Sequence, residues 1–237
     1  MQQLMSFMRA ALERYNMIDD GDKIAVGVSG GKDSMILLCA LAEIRRFYPK
    51  KFEVYAISID PQFGGNPADY SQISEICRRL NIEYSIKRTR LWEIIFQIRK
   101  ETNPCSLCAK MRRGAIHDAA KELGCNKVAL GHHMDDAVET FFMNLLNGGT
   151  IASFQPVSYL SRKDLYLIRP LIFCEEKEII RVINKTEIPI VKSLCPADGC
   201  TEREKAKGYI NDLEKEYPAL KKKIIGAMQK KHISDWS

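Results

Sequence analysis

The 237-residue chain carries 36 Lys and Arg against 30 Asp and Glu, a net charge of +6, with 46% apolar and 28% charged residues. That is an ordinary globular composition, and no run approaches the ~18–20 consecutive apolar residues of a membrane span. The first fifteen residues carry Gln2, Gln3, Arg9 and Glu13 at helical intervals in place of an unbroken apolar stretch. A secretory leader is therefore not expected, and the eight cysteines are expected to be reduced thiols of a cytoplasmic protein.

In chain order, Leu4, Phe7, Met8, Ala11, Leu12 and Tyr15 recur at three- and four-residue steps and predict an amphipathic first helix. Strands are expected at 23–29, 52–60, 83–89 and 127–132, each a short apolar run bounded by turn residues. Helices are expected at 33–47, from Pro67 to Leu80, at 91–101, 106–123 and 135–146. A strand pair turned at 161–164, a helix at 175–185, a loop at 195–200 and a helical tail broken at Pro218 complete the reading. Strand–helix alternation at ~30-residue intervals implies an α/β fold with a parallel sheet flanked by helices. Loops leaving the C-terminal ends of such strands open on one edge, where ligands bind. One compact domain is expected, divided as an N-terminal helix (1–20), the α/β body (21–190) and a cysteine loop with a small C-terminal helical extension (191–237).

Charge is more informative by location than by total. Residues 87–113 hold Lys87, Arg88, Arg90, Arg99, Lys100, Lys110, Arg112 and Arg113 against only Glu93 and Glu101. A basic segment of this kind suggests a polyanionic partner; the plainer alternative is a solvated helix face. Arg88, Arg90, Lys110, Arg112 and Arg113 are the candidate nucleic-acid contacts, with help expected from Lys221, Lys222 and Lys223.

Four motifs carry chemistry. Ser29-Gly30-Gly31-Lys32-Asp33-Ser34 follows a strand and opens a helix, so its N–H groups can cradle phosphate. It is not a Walker A loop, which needs four residues between Gly and Gly-Lys and a hydroxyl residue after the Lys. Gly131-His-His-Met-Asp135-Asp136 puts two carboxylates at a helix start, where they could hold Mg²⁺ against phosphates or simply cap the helix. Cys105-Ser-Leu-Cys108 is a metal or redox signal, and Cys195 or Cys200, on a polar loop, could complete a three- or four-thiolate site. Cys39, Cys77, Cys125 and Cys174 stand among apolar residues and read as core.

The Ser29–Ser34 motif resembles the PP-loop of the N-type ATP pyrophosphatases. The ordered set SGGKDS, CSLCAKMRRG, ALGHHMDD, IRPL and CPADG, over residues 20–200, resembles the TtcA-type tRNA thiolation enzymes. The resemblance implies a PP-loop (adenine nucleotide alpha hydrolase-like) fold that uses ATP and Mg²⁺ to adenylate a pyrimidine C2 oxygen of tRNA, with cytidine in the anticodon loop the expected target. It implies a [4Fe–4S] cluster on Cys105, Cys108 and Cys195, sulfur supplied by a donor such as a cysteine desulfurase, and a possible homodimer. Carried over by position, Ser29, Gly30, Gly31, Lys32, Asp33, Ser34, Asp60, Gly131, Asp135 and Asp136 would bind nucleotide and Mg²⁺. Lys32, Asp33, Asp135, Cys105 and Cys108 would act in the chemistry. The alternatives are a lysidine-type or amide-forming ligase with structural zinc, and a non-catalytic iron–sulfur sensor that binds tRNA or nucleotide.

Overall fold

The structure, a computed structural model, describes residues 1–99, 104–191, 195 and 202–237. A six-stranded sheet forms its centre: β1 (Asp22–Gly27), β2 (Phe52–Asp60), β3 (Glu83–Arg88), β4 (Lys127–Ala129), β5 (Val157–Leu160) and β6 (Leu165–Ile168), in the order β3-β2-β1-β4-β6-β5. All neighbours run parallel except the β5–β6 edge pair. Ala25 faces Tyr55 on one side and Val128 on the other, which makes β1 an inner strand. Its sequence is apolar at successive positions because both faces are covered. Ile24 and Val26 point into one apolar cluster, Ala25 into a second on the opposite face.

Helices α1 (Gln2–Arg14), α2 (Lys32–Ile44), α3 (Ser71–Arg79), α5 (Met134–Gly148), α6 (Glu176–Ile183), α7 (Glu202–Glu216) and α8 (Leu220–Lys230) supply the first cluster; α4 (Pro104–Glu122) covers the second with Ala119 and Ala120. Cys77, Cys125 and Cys174 are buried, as their apolar settings suggested, and burial pushes their thiols up to about 12, 11 and 12. No helix among the described residues is long and apolar enough to cross a membrane.

Strand β4 stops at Ala129 rather than 132 and α2 at Ile44 rather than 47, and two further elements differ from the sequence reading. Helix α3 starts at Ser71, not Pro67. The Asp60 carboxylate accepts from the N–H groups of Gln62 (2.9 Å) and Ala68 (3.1 Å), which fixes Pro67 in a loop. Residues 93–98 form a wide π-turn in place of an α-helix, closed by Arg99 N–H on the Ile94 carbonyl at 2.9 Å. The adjacent β-branched Ile94 and Ile95 fit a regular turn poorly.

The chain ends join the main core. Leu4, Met8, Leu12, Ile225, Met228 and Trp236 belong to the same cluster as Ile24 and Val26. Trp236 is 0% exposed, donates from Nε1 to the Phe154 carbonyl at 2.9 Å and stacks edge-on against Tyr15. Truncating a buried aromatic of this kind costs about 3–5 kcal/mol. Trp236→Ala should therefore lower the urea midpoint, followed by far-UV circular dichroism, by that equivalent. A loss under about 1 kcal/mol would mean that the final turn lies outside the cooperative core.

Candidate functional site

Parallel pairing of β1 and β4 brings the loops that follow them to the same edge of the sheet. The Ser29–Ser34 loop is braced from within. Ser34 Oγ donates to the Gly31 carbonyl (2.9 Å) and accepts from Ser29 N–H (3.1 Å). Gly30 has φ +86°, and a Cβ there would sit 2.8 Å from Val191 Cβ, while Val191 N–H donates to the Gly30 carbonyl at 3.0 Å. Only glycine fits under that strap. At Gly31 a Cβ would meet nothing nearer than Ser29 Oγ at 3.5 Å, so a side chain there would leave the loop intact. Helix α2 begins at Lys32 with no side-chain cap on its first-turn N–H groups. That is the arrangement of an anion cradle. The expected loop residues thus divide: Ser34 stiffens the loop from within, while Gly31, Lys32 and Asp33 are only half-buried.

Gly131 is placed by packing. A Cβ on it would lie 3.1 Å from the Asp33 carbonyl carbon and from the Ser34 nitrogen. This close approach sets the two loops face to face. His133 caps α5, its N–H donating to Asp136 Oδ2 at 2.9 Å, so one of the two adjacent aspartates does serve as a cap. His133 Nε2 stands 3.7 Å from Asp33 Oδ1 and its Nδ1 3.6 Å from Asp135 Oδ2. Burial works against charge on His133, yet the three carboxylates outweigh it and raise its pKa. Asp33 Oδ1 is buried without a hydrogen-bond partner. An orphan carboxylate oxygen beside a phosphate cradle suits a bound cation, since Mg²⁺ takes one or two carboxylates and completes its shell with phosphate and water.

The C-terminal helices contribute cations to this cluster that sequence reasoning missed. Lys221 of α8 pairs with Asp135 Oδ1 (2.8 Å) and Glu214 (3.1 Å), and Arg203 of α7 pairs with Asp136 Oδ1 (2.6 Å). Lys207 pairs with Glu176 Oε2 (2.8 Å), whose Oε1 accepts from Lys32 at 3.0 Å. Burial opposes charge on Asp135, but His133, Lys221 and the Glu176 N–H hold its carboxyl far below the usual range. Lys221, expected to face nucleic acid, points inward to Asp135, whereas Lys222 pairs with Glu175 and stays exposed. Asp60, expected at the nucleotide, has both carboxylate oxygens engaged by the 61–68 loop.

The remaining expected residues lie on α4 and β3. Cys105 and Cys108 share one face of the first turn of α4. Burial pushes the Cys108 thiol up, Arg112 pulls it down, and Cys195 and Cys105 are each close enough to interact with it electrostatically. Among the described residues no three His, Cys, Asp or Glu side chains converge as ligands of a lone ion would. A donor set of thiols alone suits an iron–sulfur cluster or zinc. Cys200 lies outside the described residues. Arg88, Lys110 and Arg113 are exposed, Arg112 is half-buried, and Arg90 is paired with Glu93.

Comparison with known proteins gives a consistent picture. Residues 3–198 match the family model of the PP-loop domain. The chain is 38% identical over 221 residues to a tRNA-cytidine(32) 2-sulfurtransferase of Geobacter sulfurreducens, covering 92% of this chain and 85% of the relative. It is 38% identical to the enzyme of the same name from Dechloromonas aromatica, covering 95% and 79%. Among solved structures it resembles the U34-tRNA thiolase NcsA from Methanococcus maripaludis with its [4Fe–4S] cluster: TM-score 0.80, 25% identity, 98% of this chain and 79% of the other. An NH3-dependent NAD synthetase from Campylobacter jejuni, TM-score 0.50 at 16% identity over 97% and 93% of the chains, shares the fold.

Glu139, one turn beyond Asp136, is buried; burial and then the Asp136 charge raise its carboxyl to about 7. The folded state thus binds a proton at Glu139 more tightly than the unfolded chain, whose glutamate titrates near 4.5. This contribution to stability is complete below about pH 4.5 and is lost as pH rises through about 7. Glu139→Gln should be more stable than the wild type at pH 8, by on the order of 1 kcal/mol. The difference should shrink toward pH 5. Thermal melts across that range check it, and a pH-independent difference would place the cause elsewhere.

Proposed function

The chain belongs to the PP-loop family of tRNA-cytidine 2-sulfurtransferases, and on that premise we propose that it thiolates a cytidine of tRNA at C2, using ATP. The observation that supports this reading most is the strap at Val191. That residue is hydrogen-bonded to Gly30 of the anion cradle and stands four residues before Cys195, which interacts with Cys108. Four residues span at most about 14 Å, so the phosphate site and the thiol trio share one edge of the sheet, beside exposed Lys110 and Arg113.

The residues divide the work as follows. The uncapped N–H groups of α2 and the Lys32 ammonium receive the phosphates; Asp33 with Asp135 or Asp136 would hold Mg²⁺, which would offset phosphate charge. The cytidine C2 oxygen attacks the α-phosphorus, pyrophosphate leaves, and sulfur then displaces AMP from C2. A [4Fe–4S] cluster on Cys105, Cys108 and Cys195 would supply an iron at which that sulfur is held. Arg88, Lys110, Arg112 and Arg113 bind tRNA phosphates, and the unpaired anticodon loop lets the target base turn into the site. The sulfur donor is of the cysteine desulfurase kind, and the setting is the cytoplasm.

Anaerobically purified protein given tRNA, ATP and sulfide should yield 2-thiocytidine by nucleoside mass spectrometry, with AMP and pyrophosphate released. Cys195→Ser should lose iron and thiolation together, whereas Cys200→Ser should keep both. Tightly bound zinc without sulfide would defeat the reading. So would AMP formation on free lysine in place of thiolation.

Binding of tRNA should weaken with salt, each phosphate contact adding about 0.7–0.9 to the slope of log K against log salt. Lys110→Glu with Arg113→Glu should lower tRNA affinity about tenfold or more and reduce that slope, leaving ATP affinity unchanged. Arg112 is spared in this test because it lies beside Cys108. An unaltered slope would return the segment to a solvated face.

A further inference from the structure

Lys32 is the one side-chain cation of the phosphate loop, yet its ammonium is already held by two carboxylates, Asp33 Oδ2 and Glu176 Oε1, both at 3.0 Å. Two of its three N–H donors are thereby engaged, so to give a phosphate more than the one that remains it must leave at least one of them. Asp33 is its neighbour in sequence and moves with the loop. Glu176 belongs to another element, the first turn of α6. Its carboxylate is mostly buried, and its second oxygen is bound by Lys207 of α7 at 2.8 Å. The Glu176 N–H, in turn, donates to Asp135 Oδ2 at 2.6 Å, so the residue is fixed by its backbone to the other loop of the site.

We propose that Glu176 is a positioning residue that parks the Lys32 ammonium at the mouth of the cradle until nucleotide arrives, and that Lys207 sets how firmly it is parked. The inference rests on the ATP-using reading above. Its physical content is a competition. Phosphate and Glu176 bid for the same ammonium, so the apparent nucleotide affinity is the intrinsic one lowered by the strength of the Lys32–Glu176 pair. When Lys32 moves onto phosphate, Glu176 would remain as a buried anion facing the triphosphate. Lys207 removes that penalty because it stays on the carboxylate and neutralises it. Without Lys207, Glu176 would hold Lys32 harder and repel the incoming phosphates. Lys32 and Glu176 both remain charged across the neutral range. Burial opposes charge on each, but their partners raise the lysine and lower the glutamate relative to their ordinary values.

The two partners of this carboxylate therefore give opposite outcomes. In calorimetric titration with MgATP, Glu176→Gln should tighten binding about three- to tenfold, as expected for loss of one partly exposed ion pair. Lys207→Ala should weaken it by a similar factor. In the double variant most of the Lys207 effect should vanish, since its direct ion pair is with Glu176. Glu176→Asp separates contact from bulk charge: it keeps the charge but withdraws it by one methylene from Lys32, and should behave like Glu176→Gln. In steady-state thiolation the Glu176 variants should lower the KM for ATP and leave kcat within about threefold, a split that a merely structural loss would not produce. Gly31→Val, which fits the loop but obstructs the cradle, is the non-binding control. Variants that all match a wild type able to bind MgATP would overturn the parking role alone. A wild type without affinity for MgATP would instead overturn the functional reading beneath it. Glu176→Asp matching the wild type would reduce the role to long-range charge and also overturn the proposal.

Discussion

The contact between Gly131 and the backbone of Asp33 and Ser34 governs the geometry of everything around it. Parallel pairing of β1 and β4 brings the two loops to one edge, but only a residue without a side chain lets them touch main chain to main chain. From that contact follow the approach of His133 to Asp33, the direction in which Asp135 and Asp136 enter the cleft, and the start of α5 against the start of α2. A larger residue at 131 would separate the phosphate loop from its carboxylates without altering a single charged side chain.

Bringing these carboxylates together is electrostatically costly, and the structure shows how the cost is offset. Asp33, Asp135, Asp136 and Glu176 gather beside the uncapped start of α2. Each is met by a cation or a donor: Lys32, Lys221, Arg203, Lys207 and the N–H groups of His133 and Glu176. Three of the four cations come from α7 and α8, elements that supply no recognisable motif. The C-terminal helices therefore act as the counter-charge of the cleft as well as a cover for α5.

The fold was largely legible in the sequence because its signals are local. Short apolar runs between turn residues marked β1 to β4, and the β5–β6 pair lay where its turn residues placed it. What failed had a non-local or subtle cause. Pro67 is a sound helix opener, but the Asp60 carboxylate reaches forward eight residues and holds it in a loop. The π-turn at 93–98 has a helical pattern and only its paired isoleucines to mark it. At the site, Ser29 to Lys32 and the Asp135-Asp136 pair announced themselves by spacing. Lys207, Lys221 and Arg203 did not, because a lysine on an amphipathic helix looks the same whether it faces water or a buried aspartate. Glu176 stood in an ordinary helix start, and its role appears only when four separate elements are seen together.

The packing of Trp236 on Tyr15 has a kinetic consequence. A contact between residues 221 apart closes nearly the largest loop this chain can form, and loop closure of that length is entropically among the most demanding steps in folding. The sheet and the α2–α5 layer can collapse through much shorter separations. During refolding, burial of the central strands should therefore run ahead of docking by α7 and α8, leaving an interval in which the protein is compact while its carboxylates still repel one another. Such an intermediate would be most troubled at low ionic strength, where that repulsion is least screened, and salt would speed the final ordering even as it weakens the grip on a polyanionic substrate.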